Sequence, residues 1–310
     1  MSFSGTVKEE LSHTVPNTRH CRIAELAVFL LFFGELKKTP MGRPYLVIRT
    51  ENLPAARKCF TLIRKTFKMD VKIRRGKRAF SLVLPPGEDS LKVLSAVRLA
   101  GRLTEDGAEK EALNRLLIQE LCCKRAFIRG MFLACGSLSD PQKSYHMEFV
   151  CEEASLAQQV VSALAAFEVE AKITLRKNSF IVYLKEGDAL VEVLNIMGAF
   201  VSMMEMENVR ILRGFRGSVN RQVNCETANI RKTVSAAVGQ MDDIRYLQQT
   251  IGLDALPDGL REIAEIRLEN PEATLKELGD SLNPPVGKSG VNHRLRKIKE
   301  LAENIREERK

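Results

Sequence analysis

The stretch RAFSLVLPPGEDSLKVL, residues 78–94, recurs as NSFIVYLKEGDALVEVL at residues 178–194. Further upstream, Gly34 matches Gly136 at an offset of 102, a small drift that one loop of different length explains. Self-similarity at a fixed period is typical of a duplicated structural unit. The sequence therefore predicts two copies of one unit, at about residues 20–100 and 120–200. The identities between the quoted stretches, at an offset of 100, are Phe80/Phe180, Leu84/Leu184, Gly87/Gly187, Val93/Val193 and Leu94/Leu194.

The hydrophobic pattern changes in the same order within each copy. A long apolar helix is followed by a hairpin, an amphipathic helix, two more strands and a closing helix. Each copy therefore reads αββαββα, an α+β arrangement in which helices cover one face of an antiparallel sheet and leave the other free. The predicted helices lie at about 20–34, 53–67, 120–136 and 152–167, and the strands at about 45–50, 69–75, 78–84, 145–151, 169–176 and 179–185.

This order of elements resembles the LAGLIDADG homing-endonuclease fold. IRGMFLACG (128–136) and LAVFLLFFG (26–34) stand where the nonapeptide of that family would lie, at the end of each long helix. Gly130 and Ala134 share one helix face and favour a close helix crossing, whereas Val28 and Phe32 are bulky at the equivalent positions. Taken alone, an apolar helix that ends in glycine is also compatible with a plain core helix.

The resemblance implies a nuclease scaffold without the nuclease chemistry. Those endonucleases hold divalent metals with an acidic residue just before the last glycine of each motif helix, and here Phe33 and Cys135 occupy these positions. Phenylalanine cannot ligate a metal, and a thiol is a poor ligand for magnesium. We therefore expect no catalytic residues, no metal site and no cofactor, and a protein that is not an enzyme.

Basic residues on the predicted outer strands could still contact DNA. The segment 72–78 carries five basic residues and no acid. Such a row could neutralise phosphates along the free face of the sheet, although it is equally compatible with a solvated hairpin that protects a sheet edge. The candidate contacts are Arg74, Arg75, Lys77 and Arg78 in the first copy and Lys172, Arg176 and Lys177 in the second.

A basic linker is predicted at residues 203–218, because Gly214 and Gly217 interrupt the helical pattern there. Residues 219–310 are predicted to form a helical domain. Arg213, Arg216 and Arg221 are further candidates for DNA contacts. The polar residues around Arg221 could instead tether the two domains.

The last helices predict a helix-turn-helix at about residues 274–305. Thr274 and Glu277 form a capping box that starts one helix, and Ser289 is the expected N-cap of the next. Residues 288–299 contain five basic residues and no acid, whereas residues 257–283 contain seven acids. This pattern predicts a basic recognition helix that enters the major groove of DNA. A three-helix bundle with a solvated basic face is the alternative that fits the same pattern. The candidate DNA contacts are Lys288, Ser289, Asn292, His293, Arg294, Arg296, Lys297 and Lys299.

Composition adds broad limits. The 310 residues carry a net charge of +9, which favours a polyanionic partner. The seven cysteines include no CxxC pair, so the sequence predicts reduced thiols without a disulfide framework or a zinc site. No signal pattern or membrane-length apolar run is present. We therefore expect a soluble, cytoplasmic protein.

The whole chain resembles the WhiA regulators of Gram-positive and related bacteria. The resemblance rests on SVNRQVNCETANIRKT (218–233), KSGVNHRLRKIKELAE (288–303) and CCKRAFIRGMFLACGSL (122–138), and on residues 244–279 and the opening SFSGTVKEEL. It implies a nucleoid-associated DNA-binding transcription regulator that acts in cell division, chromosome segregation and, in sporulating relatives, sporulation. Double-stranded DNA is the implied partner, with a sigma factor or another transcription protein as a further one, and a monomer is compatible with the sequence. The alternatives are a protein-interaction scaffold and a metal-dependent endonuclease.

Overall fold

The computed structural model describes residues 2–308 and divides the chain into two compact units. The first unit ends at Arg213, and the second begins at Gly214. Among the described residues, no helix combines the length and apolar content needed to cross a bilayer.

The first unit contains the duplicated αββαββα arrangement, as the sequence predicts. A helix that the repeat does not include, α1 (Phe3–His13), precedes it, and the Ser2 hydroxyl caps that helix by accepting a hydrogen bond from the Gly5 N–H at 3.2 Å. The first repeat consists of α2 (Arg19–Phe33), β1 (Gly34–Lys38), β2 (Pro44–Thr50), α3 (Leu53–Phe67), β3 (Lys72–Arg75), β4 (Phe80–Val83) and α4 (Glu88–Ala96).

The second repeat has the same elements in the same order. A short strand pair, β5 (Leu103–Thr104) and β6 (Gly107–Ala108), lies between the repeats. The second repeat consists of α5 (Leu121–Cys135), β7 (Gly136–Leu138), β8 (Met147–Cys151), α6 (Ala154–Ala165), β9 (Lys172–Arg176), β10 (Ser179–Leu184) and α7 (Gly187–Met197).

Each repeat builds one four-stranded antiparallel sheet. The strand orders are β1-β2-β4-β3 and β7-β8-β10-β9, so the basic strands β3 and β9 are equivalent edge strands. Side chains alternate between the two faces of a strand. Leu46, Ile48 and Leu82 are buried under the helices, while Arg49 lies on the other face, which we call the open face. The α+β fold class predicted from the sequence is therefore confirmed.

The two repeats meet along α2 and α5. A Cβ at Gly130 would lie 3.2 Å from the Val28 Cβ and 3.3 Å from the Glu25 carbonyl oxygen. Glycine in one helix thus accommodates the bulky valine of the other, and the predicted close crossing forms despite Val28. The surrounding apolar side chains form one core shared by both repeats.

Residues 203–218 are helical, so the predicted break of the helical pattern there is wrong, although the boundary between the two units falls within this segment. They lie within α8 (Phe200–Thr250). A glycine inside an exposed helix costs only about 1 kcal/mol relative to alanine, and a Cβ at Gly214 would meet no heavy atom within 4 Å. The long helical pattern on either side therefore outweighs the two glycines.

The second unit contains three further helices around a small core. They are α9 (Asp258–Glu269), α10 (Leu275–Asp280) and α11 (Lys288–Glu308). The apolar stripe predicted on the last helix is buried, from Val291 to Ala302. The prediction of Ser289 as N-cap is wrong: the helix starts at Lys288, because the Gly287 carbonyl already accepts the Val291 N–H at 3.1 Å.

Candidate nucleic-acid interface

The first half of α11 presents a polar, acid-free surface. Its candidate contacts lie beside or opposite the buried Val291, Leu295 and Ile298, and all but Arg294 are exposed. The acids of this helix begin at Glu300. The exposed residues, which we call the α11 face, are Lys288, Ser289, Asn292, His293, Arg296, Lys297 and Lys299.

Arg294 does not belong to this face. Its half-buried guanidinium donates to the Gly259 carbonyl at 3.2 Å and lies 3.8 Å from the Glu262 carboxylate, both on α9. Arg294 therefore fixes α11 against α9, and we leave it out of the proposed DNA contacts.

Two cations of the α11 face have weak partners one turn along the helix. Arg296 lies 3.4 Å from Glu300, and Lys299 lies 3.6 Å from Glu303, with all four side chains exposed. Exposed pairs at this spacing contribute only about 0.3–0.5 kcal/mol. Both cations can therefore exchange these partners for a phosphate or a base at little cost.

The turn before α11 is defined by specific contacts. The capping box of α10 is formed, with the Glu277 N–H donating to the Thr274 hydroxyl at 3.3 Å and the Thr274 N–H donating to Glu277 at 2.7 Å. The hydrogen bond from the Thr274 N–H to the Glu277 carboxylate, followed by one with the Thr274 side chain, lowers the pKa of Glu277. A Cβ at Gly279 would lie 2.0 Å from the Val286 carbonyl oxygen, so only glycine lets α10 meet this turn.

The Arg267 guanidinium is buried behind α9 and donates to the Ala273 carbonyl at 2.6 Å. Burial lowers the pKa of Arg267. The side chain ties the end of α9 to the loop that leads into α10, and it helps to hold the helix-turn-helix together.

The open face of the first sheet carries some of the predicted cations. Arg74 pairs with Ser81 across the ladder, and Ser81 pairs with Arg49. These residues, together with Lys72, lie on the face without helices. Arg75 is the next residue along β3 and lies on the opposite face. Lys77 and Arg78 lie in the turn between β3 and β4.

One acid of this open face, Glu35, is already paired with two cations. The Glu35 carboxylate lies 2.9 Å from the Lys37 ammonium and 3.8 Å from the Arg49 guanidinium. With Lys72 and Arg74 nearby on the same sheet, the local charge is positive. Such a surface suits a polyanion.

The second sheet is less basic. Lys172 and Arg176 lie on its open face, opposite Tyr183 and Ser179 in the register. Glu148 shares this face and lies 3.3 Å from His146. Lys177 is in the tight turn to β10, where its φ of 48° is left-handed.

Uncharged side chains occupy the positions where the endonucleases carry their acids. Phe33 ends α2 and Cys135 ends α5, each followed by a glycine that opens the next strand. Burial, followed by a hydrogen bond with Cys151, raises the pKa of Cys135. The thiol is therefore neutral at physiological pH.

The three candidate arginines of α8 have different surroundings. Arg213 donates to the Pro141 and Lys143 carbonyls at 3.0 and 3.3 Å and lies over the Tyr145 ring. It therefore fixes the β7–β8 loop, and the structure does not bring it to a basic surface. Arg216 and Arg221 are exposed.

Comparison with known proteins decides the family. A protein 46% identical over 99% of this chain and 100% of its own length is the probable cell division protein WhiA of Lachnoclostridium phytofermentans. The chain belongs to the WhiA family. The probable cell division protein WhiA of Alkaliphilus oremlandii is 44% identical over 99% of this chain and 98% of its own. Models of the WhiA N-terminal LAGLIDADG-like domain, LAGLIDADG-like domain and C-terminal HTH domain match residues 19–79, 124–216 and 219–302.

The fold agrees with a solved WhiA structure. Full-length DUF199/WhiA from Thermatoga maritima matches with a TM-score of 0.58 and 27% identity, over 98% of this chain and 99% of that one. The resemblance to WhiA and the LAGLIDADG-like and HTH architecture predicted from the sequence are thereby confirmed.

Sequence reasoning about this WhiA chain missed two groups of side chains. His20, Cys21, Cys122 and Cys123 converge at the start of α2 and α5. The sequence signal that could have identified this group is the repeat offset of 102, which aligns residue 20 with 122 and residue 21 with 123. Glu25, Lys58 and Arg129 form a buried ionic cluster within the first unit. No local sequence pattern predicts that cluster, because its members come from three different helices.

Proposed function

We propose that the chain is a sequence-specific DNA-binding protein that regulates transcription, with α11 as its base-reading helix. The observation that carries the proposal is the exposed, acid-free α11 face, presented by a helix-turn-helix. Asn292 and Arg296 have the side chains that form bidentate hydrogen bonds with adenine and guanine in the major groove. Lys288 and Lys299, at the edges of that face, are suited to phosphates.

The first unit adds phosphate contacts through its open face. Lys72 and Arg74 lie on one side of β3, and Glu35 on the same open face is paired with Lys37 and Arg49. Backbone contacts position a protein on DNA and add affinity without base information. Joining two binding surfaces in one chain raises affinity through effective concentration.

This function does not include DNA cleavage. A metal-dependent nuclease of this fold needs carboxylates beside the substrate phosphate, and Phe33 and Cys135 supply none. The test is incubation of supercoiled plasmid with the purified chain and magnesium or manganese. Nicking that survives extensive purification would restore the enzyme hypothesis.

The names of the relatives support a proposal for the cellular role. Two proteins more than 40% identical to this chain are named probable cell division protein WhiA. We extend the proposal to transcription control in cell division, chromosome segregation and, in sporulating relatives, sporulation. The site of action is the nucleoid in the cytoplasm, and a sigma factor or other transcription protein is a further partner of a monomeric chain.

The test of the base-reading role compares four single alanine variants on DNA selected from random sequence. Asn292→Ala and Arg296→Ala should each lose about 1–3 kcal/mol at the preferred site and relax the preference at one base position. Lys288→Ala and Lys299→Ala should weaken all sequences equally. Fluorescence anisotropy measures affinity, and sequencing of the selected pool measures preference.

Arg261→Ala is the matched control for the loss of an arginine. Arg261 lies on α9, where it is 3.7 Å from both Asp254 and Asp258. We expect its loss to leave the preference intact. Uniform weakening in all four α11 variants would mean that the helix positions the chain but does not read bases.

A protein-interaction role for the second sheet is the alternative for the first unit. Val150 is exposed on the open face of this sheet, which carries fewer basic residues than the open face of the first sheet. Reversing the charge of Lys172 and Arg176 separates the two roles. A shorter DNase footprint of the full-length chain supports DNA contact, while an unchanged footprint and salt dependence support the protein partner.

A further inference from the structure

Two adjacent pairs of side chains, one from each repeat, meet where α2 and α5 begin. The pairs are His20-Cys21 and Cys122-Cys123. Their imidazole nitrogen and three sulfur atoms all lie within 4.8 Å of one another, and the His20 Nε2 is 3.3 Å from the Cys122 Sγ. These residues are equivalent in the duplication, so the helix crossing itself brings them together.

We infer that His20, Cys21, Cys122 and Cys123 form a zinc-binding site that joins the two repeats. Three sulfurs and one imidazole nitrogen are a donor set of structural zinc sites. Zinc–sulfur distances of about 2.3 Å in a tetrahedron place neighbouring ligand atoms about 3.5–3.8 Å apart. The four donor atoms therefore need only small side-chain rotations to surround one ion.

Adjacent residues can both act as ligands here because of the helix geometry. Successive side chains on a helix are about 100° apart, so one member of each pair points into the crossing and the other stays at its rim. Cys21 and Cys123 are each 4% exposed and pack with Ala24 and Ala126, whereas His20 and Cys122 are exposed. The site is thus enclosed on one side and open to an entering ion on the other.

Two features act in opposite directions on the ionisation of these thiols, and burial outweighs the effect of the helix N-termini. The first turns of α2 and α5 contain no acidic residue, and helix N-termini carry a partial positive charge that stabilises anions. Burial raises the pKa of Cys21, and it raises the pKa of Cys123 to about 12. Zinc binding therefore releases the thiol protons to solvent as the three zinc–sulfur bonds form.

The site lies at the opposite end of α2 from Phe33. His20 is near the start of α2 and Phe33 at its end, about 20 Å apart at the rise of a helix. A zinc ion at this point would link the two repeats at the end of the crossing opposite Phe33 and Cys135. The inference is independent of the proposed function, because it concerns only the first unit and needs no DNA.

The experiment titrates the full-length, reduced and chelator-treated chain with Co²⁺, which takes the coordination of zinc and is coloured. We expect one equivalent to bind, with the visible bands of a tetrahedral ion and thiolate-to-cobalt charge transfer in the near ultraviolet. Zinc should displace the cobalt and raise the melting temperature of the chain, in proportion to the logarithm of its concentration.

Cys122→Ser and His20→Ala are the test variants, because both side chains are exposed and their loss leaves the core intact. Loss of a residue that only hydrogen-bonds to a metal ligand lowers metal affinity by about 10–100-fold. Loss of a ligand itself should therefore lower cobalt affinity by at least about 100-fold. Cys225→Ser and His13→Ala, which replace an exposed cysteine and histidine elsewhere, should bind as the parent does.

Three results would overturn the inference. They are no stoichiometric binding by the reduced chain, an octahedral spectrum without charge transfer, and equal affinity in the parent and both test variants. A disulfide among Cys21, Cys122 and Cys123 in a chain whose reduced form binds no cobalt would identify a redox pair in place of the metal site.

Discussion

Glu25→Gln should strongly destabilise the first unit. Glu25 is fully buried and accepts two hydrogen bonds from the Arg129 guanidinium, at 3.0 and 3.1 Å, while the buried Lys58 ammonium lies 3.2 Å away. Arg129 also donates to the Met197 carbonyl at 2.9 Å, and Lys58 to the carbonyls of Leu11 and Thr14. The substitution keeps the shape of the side chain and removes the only carboxylate in these contacts.

The magnitude follows from the two charges left behind. Removing one partner of a buried ion pair costs about 3–5 kcal/mol, because the remaining charge stays desolvated. For a unit of this size, about 1 kcal/mol lowers the melting temperature by about 2–4 °C. We therefore expect a decrease of about 6–20 °C, measured by differential scanning calorimetry of the parent and the variant.

The pH dependence of this loss has a definite sign. Burial lowers the pKa of Lys58 from 10.5 to about 8, and Glu25 limits that decrease. Without Glu25, the pKa of Lys58 in the folded chain falls further, so the native variant sheds its buried charge at lower pH. The unfolded chain then binds more protons than the native one over a wider range, and stability rises with pH there. The deficit of the variant should shrink as the pH rises toward about 8 and stay constant above it.

Glu9→Gln is the matched control. Glu9 is part-exposed at the surface, where it pairs with Arg57 and His13, and exposed pairs contribute about 0–1 kcal/mol. A Glu25→Gln chain that melted within about 4 °C of the parent, as the Glu9 control should, would refute the reasoning. So would a deficit that grew with pH.

The other predictions concern the DNA surface, the helix-turn-helix and the helix crossing. Arg74→Glu should weaken DNA binding and reduce the slope of log K against log salt by about 0.9 for each lost phosphate contact. Thr274→Ala should lower stability of the second unit by about 1 kcal/mol through loss of the cap, as measured by urea unfolding. Gly130→Ala should destabilise the first unit, because its Cβ would press on Val28, while Gly214→Ala should stabilise the chain by up to about 1 kcal/mol.

Each of these predictions has a result that contradicts it. Arg75→Glu changes the neighbouring residue on the opposite face of β3, so an equal change of salt slope in both variants would exclude a specific role for the open face. A Thr274→Ala chain with unchanged stability would show that the capping box contributes nothing. If Gly130→Ala and Gly214→Ala behaved alike, the crossing would not depend on glycine.

The repeat could be predicted because its signals are local. Hydrophobic alternation and the shared glycines mark the strands and helices of both copies, and each sheet consists of two local hairpins joined through β2 and β4 or through β8 and β10. The predicted break of the helical pattern at residues 203–218 was wrong for a related reason. Gly214 is a local signal too, but a single glycine adds only about 1 kcal/mol against the helical preference of its long surroundings.

The site was only partly predictable. The stripe of α11 identifies which of its residues are exposed, yet it does not show that Arg294 turns back to Gly259 on another helix. Lys72–Arg78 reads as a run of positive charge, and only the strand register separates Arg74 from Arg75. The meeting of His20 with Cys122 depends on the crossing of helices that are a hundred residues apart.

Phe33 and Cys135, at the positions where the endonucleases carry acids, also change which ions the first unit needs for DNA binding. A pair of carboxylates repels phosphate, so divalent cations must lie between the carboxylates and the phosphate before a nucleic acid can bind. A phenyl ring and a neutral thiol impose no such requirement. Association of the first unit with DNA would then depend on the monovalent salt that its lysines and arginines displace, and it would be indifferent to the concentration of free magnesium beyond its general screening.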